Sequence, residues 1–112
     1  MMAYMIDAGN NEGLFGVFED DGDTGYLYLY KPEGEGIIDH LHIYSNPEKR
    51  GLNIKKKDVE VVWSDDKTKC GVKVWGRLFG IFDLASNQKV SVSIQERDTQ
   101  PIQDPQLLKG FS

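Results

Sequence analysis

Two histidines, His40 and His42, stand beside Asp39 in the run Ile37-Ile38-Asp39-His40-Leu41-His42-Ile43-Tyr44. Neutral imidazole is both a metal ligand and a general base near neutral pH. A carboxylate among apolar residues is a candidate acid or base, because burial alters its ionisation. β-Branched and aromatic residues dominate the run, with no glycine or proline inside it, so it reads as a strand. Side chains alternate along a strand, which puts His40 and His42 on one face and Asp39 on the other. A metal held by the two histidines needs a third ligand, and Asp83 or Glu60 could supply it only if the topology brings them close. With no third ligand visible in the sequence we assign no metal and no cofactor. The histidines read instead as groups hydrogen-bonding tyrosine hydroxyls on a semi-exposed face. Asp39 requires a hydrogen-bonding partner or a bulge that turns it outward, since an unpartnered buried carboxylate is costly.

The remaining reactive groups are assigned simpler roles. Glu19, Asp20, Asp21 and Asp23 cluster as a hard cation would want, but they lack the longer spacing and closing glutamate of a calcium loop. They read as a polar turn. Cys70 alternates with Val72 and Val74 and is expected to be a small core residue rather than a nucleophile. No Gly-x-Ser-x-Gly elbow is present for a serine nucleophile. No catalytic residue is therefore assigned. Tyr26, Tyr28 and Tyr30 share one face of a second run, and with His40, His42 and Tyr44 they make the candidate binding surface. Tyrosine offers apolar area and a hydrogen-bonding tip at low entropic cost, which suits an interface. The competing reading covers that face with the 45–57 loop or the C-terminal tail.

These side chains must be positioned by short strands. Residues 14–19 and 25–30 are strand-like runs joined by Asp20-Asp21-Gly22-Asp23-Thr24, which is hairpin chemistry. Leu27 and Leu29 should face the core, with Ile37, Leu41 and Ile43 as inward partners on the next strand. Pro32-Glu33-Gly34-Glu35-Gly36 reverses the chain between the two. Residues 45–57 read as an exposed loop anchored by Leu52 and Ile54. Strand signals resume at 58–63, 70–75, 78–84 and 90–94, with Gly76-Arg77 as a tight reversal. Residues 1–12 are an irregular N-terminal segment with one edge strand at Tyr4, Met5 and Ile6. Residues 98–112 are a tail in which Leu107, Leu108 and Phe111 dock after one helical turn. Seven or eight short strands with hairpin-short connections predict one all-β domain over 1–112, a mostly antiparallel meander forming a barrel or sandwich. The connections exclude a βαβ nucleotide fold.

The 112 residues carry 18 acidic and 13 basic side chains, a formal net charge of −5. That balance argues against binding the phosphate backbone of nucleic acid. Lys55-Lys56-Lys57, without interleaved aromatics, reads as a solvated loop. No apolar stretch approaches a membrane span, no signal peptide is evident, and the single cysteine suits a reducing compartment, so a cytoplasmic location is expected.

Three runs carry a resemblance: Val17-Phe18-Glu19-Asp20-Asp21-Gly22-Asp23-Thr24-Gly25-Tyr26, Ile38-Asp39-His40-Leu41-His42-Ile43-Tyr44 and Val61-Val62-Trp63-Ser64-Asp65-Asp66. Over residues 14–84 the chain resembles a family of small bacterial proteins of unknown function, with similar domains among toxin-immunity proteins. The resemblance implies an all-β bacterial domain and carries over no catalytic residue. Two functions follow as expectations. One is a non-enzymatic module whose aromatic, acidic face binds another protein or a second copy, in the manner of an immunity protein. The other is a small ligand-binding or hydrolytic domain in which Asp39, His40 and His42 converge in a cleft.

Overall fold

The computed structural model describes residues 3–111. Among these residues, eight strands form two antiparallel four-stranded meanders. The N-terminal sheet holds β1 (Tyr4–Gly9), β2 (Phe15–Asp20), β3 (Thr24–Lys31) and β4 (Gly36–Ser45). The C-terminal sheet holds β5 (Val59–Trp63), β6 (Lys69–Val74), β7 (Arg77–Asp83) and β8 (Gln88–Ser91). One helical turn, α1 (Pro105–Leu108), follows. The all-β, antiparallel reading holds. The edge strand expected at Tyr4 runs on to Gly9, so less of the N-terminal segment is irregular than expected; residues 1, 2 and 112 lie outside the described residues.

Turn chemistry sets the hairpins. In the β2–β3 turn, Asp20 Oδ1 accepts from the Gly22 amide at 2.8 Å, and Asp21 Oδ1 accepts from the amides of Asp23 (2.9 Å) and Thr24 (2.8 Å). These carboxylates close the reversal by bonding their own backbone two and three residues on. The β6–β7 reversal falls one residue earlier than expected, on Trp75 and Gly76, whose φ values of 53° and 79° are both positive. Such a turn matches the twist of the flanking strands. The Arg97 guanidinium lies 3.7 Å from the centroid of the Trp75 ring and holds it in place.

The two sheets pack face to face. Phe18, Leu27, Leu29, Leu41 and Ile43 from one meet Val59, Val61, Cys70, Val72, Val74, Phe79 and Phe82 from the other. Each such burial is worth about 1.5–3 kcal/mol relative to exposure. The approach is closest at Gly16, where an added Cβ would lie 2.8 Å from Val61 Cγ1 and would also strike Cys70 Sγ. After β8 the chain crosses back, and the Ile94 amide donates to the Ile43 carbonyl of β4 at 2.7 Å.

The second sheet is covered on both faces. Its outward residues Leu78 and Ile81 pack with Ile102 and Leu107 of the tail, flanked by Leu108 and Phe111. The tail is also tied by polar bonds: the Ile102 amide to the Leu78 carbonyl at 2.9 Å, and Lys69 Nζ to the Gln106 and Lys109 carbonyls at 2.6 and 3.0 Å. Its docking through Leu107, Leu108 and Phe111 after one helical turn is as expected. The tail therefore covers the C-terminal sheet and not the tyrosines.

Candidate functional site: the outer face of the N-terminal sheet

Strand pairing arranges the outer face of the N-terminal sheet as three rows. Met5, Glu19, Tyr26 and His42 lie across one, Asp7, Val17, Tyr28 and His40 across the next, and Gly9, Phe15, Tyr30 and Ile37 across the third. Tyr26 and Tyr28 stack with ring centroids 5.9 Å apart, and Tyr26 meets His42 edge-on at 5.2 Å and His40 at 5.9 Å. A shallow groove of about 590 Å³ runs over Phe15, Val17, Tyr28, Tyr30 and Ile37. Met5 and Ile37 are each 60% exposed. Burial first, then the Glu19 carboxylate, hold the Tyr28 hydroxyl's pKa above its ordinary value, so it stays a neutral donor.

Five of the six candidate surface residues are therefore on this face: Tyr26, Tyr28, Tyr30, His40 and His42. Tyr44 is not. The β3–β4 ladder slips between the pairs Gly25–Tyr44 and Tyr26–His42, leaving Ile43 as an extra residue. An extra residue reverses the in–out order beyond it, so Ile43 and Tyr44 both turn into the core. A second slip, between Leu29–Asp39 and Tyr30–Ile37, leaves Ile38 extra and moves Ile37 outward. Ile37, expected among the core partners of the leucines, is thus an outer-face residue; Leu41 and Ile43 are buried as expected.

Asp39 pairs with Leu29, on the inward side of the ladder, yet the rim of the sheets gives it a partner. Lys89 Nζ donates to its Oδ1 at 2.6 Å and the His40 amide donates to the same oxygen at 2.8 Å. Burial opposes its ionisation, but the Lys89 hydrogen bond, and after it the His40 amide, outweigh that and keep its pKa below the usual carboxylate value. His42 does not bond a tyrosine; its Nδ1 lies 2.8 Å from Ser93 Oγ and its Nε2 lies 2.7 Å from Ser45 Oγ. Asp39 lines a different cleft, with Leu29, Phe82 and Lys89. The three side chains of the hydrolytic alternative thus do not converge. No cluster of three or more histidine, cysteine or acidic side chains among the described residues is arranged to hold a metal ion. Ser93 carries no local signal in the sequence, since it reaches His42 across 51 positions. Ser45 is close in sequence, but residues three apart lie on opposite faces of a regular strand, and only the slip at Ile43 brings the pair together.

Cys70 is fully buried between the sheets, and desolvation pushes its thiol up to about 12. The thiolate is the reactive form. Native protein at pH 8 is therefore expected to resist a thiol-reactive dye and to label only as fast as it opens. Labelling of the native state at the rate of urea-unfolded protein would show that the thiol is accessible.

Fold and surface together define a small all-β domain of two open sheets, one face clothed by its own tail and the opposite one bare and aromatic. The chain belongs to the family described as an uncharacterized protein conserved in bacteria (DUF2251), whose model matches residues 3–103. It is 30% identical over 71 residues to an uncharacterized protein of Haemophilus influenzae, an alignment covering 62% of this chain and 44% of the relative. The chain thus spans less than half the length of that relative. No solved structure matches it. No helix among the described residues is long and apolar enough to cross a membrane.

Proposed function

We propose that the domain is a non-enzymatic interaction module, acting in the cytoplasm, that docks another protein on the outer face of its N-terminal sheet. The observation that carries this reading is the asymmetry of the two sheets. The chain covers the C-terminal sheet with Ile102, Leu107, Leu108 and Phe111, and leaves the N-terminal sheet bare around Met5, Phe15, Tyr28 and Ile37. An exposed apolar patch of this kind, set among polar groups, marks an interaction surface.

Charge selects the partner. The three rows contain Asp7 and Glu19 and no lysine or arginine. Asp21 and Asp23 stand in the turn at one end of β3, and Glu33 and Glu35 in the turn at the other. Two copies packed face to face would bring like charges together at both ends. A partner with an apolar centre and a lysine- and arginine-rich rim would meet complementary charge. The concrete version is an immunity-type role, in which this face covers the basic site of a toxin.

The test uses the purified domain and the proteins encoded beside its gene, with affinity measured by calorimetry and self-association by sedimentation. Tyr28→Ala is expected to weaken binding by about 1–3 kcal/mol, as loss of an aromatic anchor does, and added salt to weaken it further. Tight binding to such a partner that survives Tyr28→Ala would place the interface elsewhere. A stable dimer that Tyr28→Ala dissociates would replace the basic partner with a second copy.

A further inference from the structure

A second cleft, of about 590 Å³, opens between β1, the end of β2 and the loop after β4. Asp20 lies in its wall and is only 2% exposed. Its Oδ2 accepts from the Tyr44 hydroxyl at 2.6 Å and its Oδ1 from the Gly22 amide at 2.8 Å. No described lysine or arginine is within ion-pair distance of it. Buried carboxylates are ordinarily paired with a cation, and a carboxylate has about four acceptor positions, of which these bonds use two. Beside it, the Tyr4 hydroxyl oxygen is also buried and has no hydrogen-bond partner. A buried hydroxyl without a partner is uncommon in a native fold. Both groups ask for a donor, and Asp20 asks for a positive one.

The rim has the opposite character. Lys55 and Lys56 stand on it with Glu48 and Asn53, and Met5, Pro47 and Ile54 supply apolar walls. A simple cation would be drawn by Asp20 and Glu48 but opposed by the two lysines. A simple anion would find the lysines and be opposed by the two carboxylates. A molecule carrying both charges satisfies the whole set. We propose that this cleft binds a small zwitterion bearing a primary ammonium, of the class of free amino acids. The ammonium donates to Asp20 and to the Tyr4 oxygen, and the carboxylate lies toward Lys55 and Lys56. This site is separate in chemistry from the docking face and does not depend on it.

The experiment titrates the full chain with glycine, leucine and lysine, and with propylammonium and propionate as single-charge controls. Amide chemical shifts are followed at Tyr4, Asn53, Lys55 and Lys56. An amino acid is expected to bind more tightly than either control by about tenfold or more, the worth of a hydrogen bond to a charged group. Asp20→Asn tests the central group but removes a buried turn carboxylate, so Tyr4→Phe is the decisive variant. It discards an unpartnered hydroxyl, is expected to leave urea stability unchanged or raised, and should weaken the amino acid by about tenfold. Lys55→Ala with Lys56→Ala should weaken the amino acid and leave propylammonium unweakened. The proposal is overturned if no amino acid shifts these amides at millimolar concentration. It is equally overturned if a control binds as well as the amino acids, or if Tyr4→Phe binds them unchanged.

Discussion

Replacing Leu27 by alanine is expected to destabilise the domain by about 2–5 kcal/mol, the range for truncating a buried leucine, whereas Tyr28→Ala should cost clearly less. The two are neighbours on β3 and face opposite ways. Leu27 is 0% exposed, in the core between the sheets. Removing its terminal isopropyl group leaves a cavity in a packed interior that relaxes only partly. Tyr28 lies on the outer face, its ring against Tyr26 and His40 and its groove open to solvent. Urea unfolding of both variants measures the difference directly. Equal losses would mean that the tyrosine row is structural core, and the docking reading would fall with it.

Much of this architecture was legible because local chemistry and periodicity agreed. The Asp-Asp-Gly turn, the strict alternation of tyrosine and leucine in β3 and the short connections all pointed to an antiparallel meander. What was not legible lies in β4. A bulge changes no residue type; it changes only which face each residue takes, and Ile37, Ile38, Ile43 and Tyr44 are all acceptable on either side of a half-buried strand. Nothing local marked Ile38 and Ile43 as the extra residues. The partners of Asp39 and His42 were hidden for a different reason, since Lys89 and Ser93 come from the other half of the chain. Asp20 was the exception. It shares a face with Gly16 and Phe18, so alternation along the 14–19 run is enough to group Asp20 with an apolar, inward-facing set.

Tyr44→Phe is expected to cost about 1–3 kcal/mol, the penalty for depriving a buried polar group of its partner, although it removes a single oxygen. The hydroxyl donates to Asp20 Oδ2 at 2.6 Å, and burial, followed by that bond, holds its pKa far above the ordinary tyrosine value. The ring itself would stay. It is wedged over Gly25, where an added Cβ would lie 2.6 Å from Tyr44 Cζ and 2.8 Å from Phe18 Cζ. The phenylalanine variant therefore isolates the hydrogen bond from the packing. Asp20→Ala should cost more, because it also strips the Gly22 amide of its acceptor in the β2–β3 turn. The double variant should lose less than the sum of the two. Once the carboxylate is gone, the hydroxyl has nothing left to satisfy, so a coupling of about 0.5–3 kcal/mol is expected, as for residues sharing a network. Strict additivity in urea would mean that the hydroxyl and carboxylate do not support each other. The bulge at Ile43 that turns Tyr44 inward would then serve to fill space between the sheets, and not to supply the buried carboxylate with a donor.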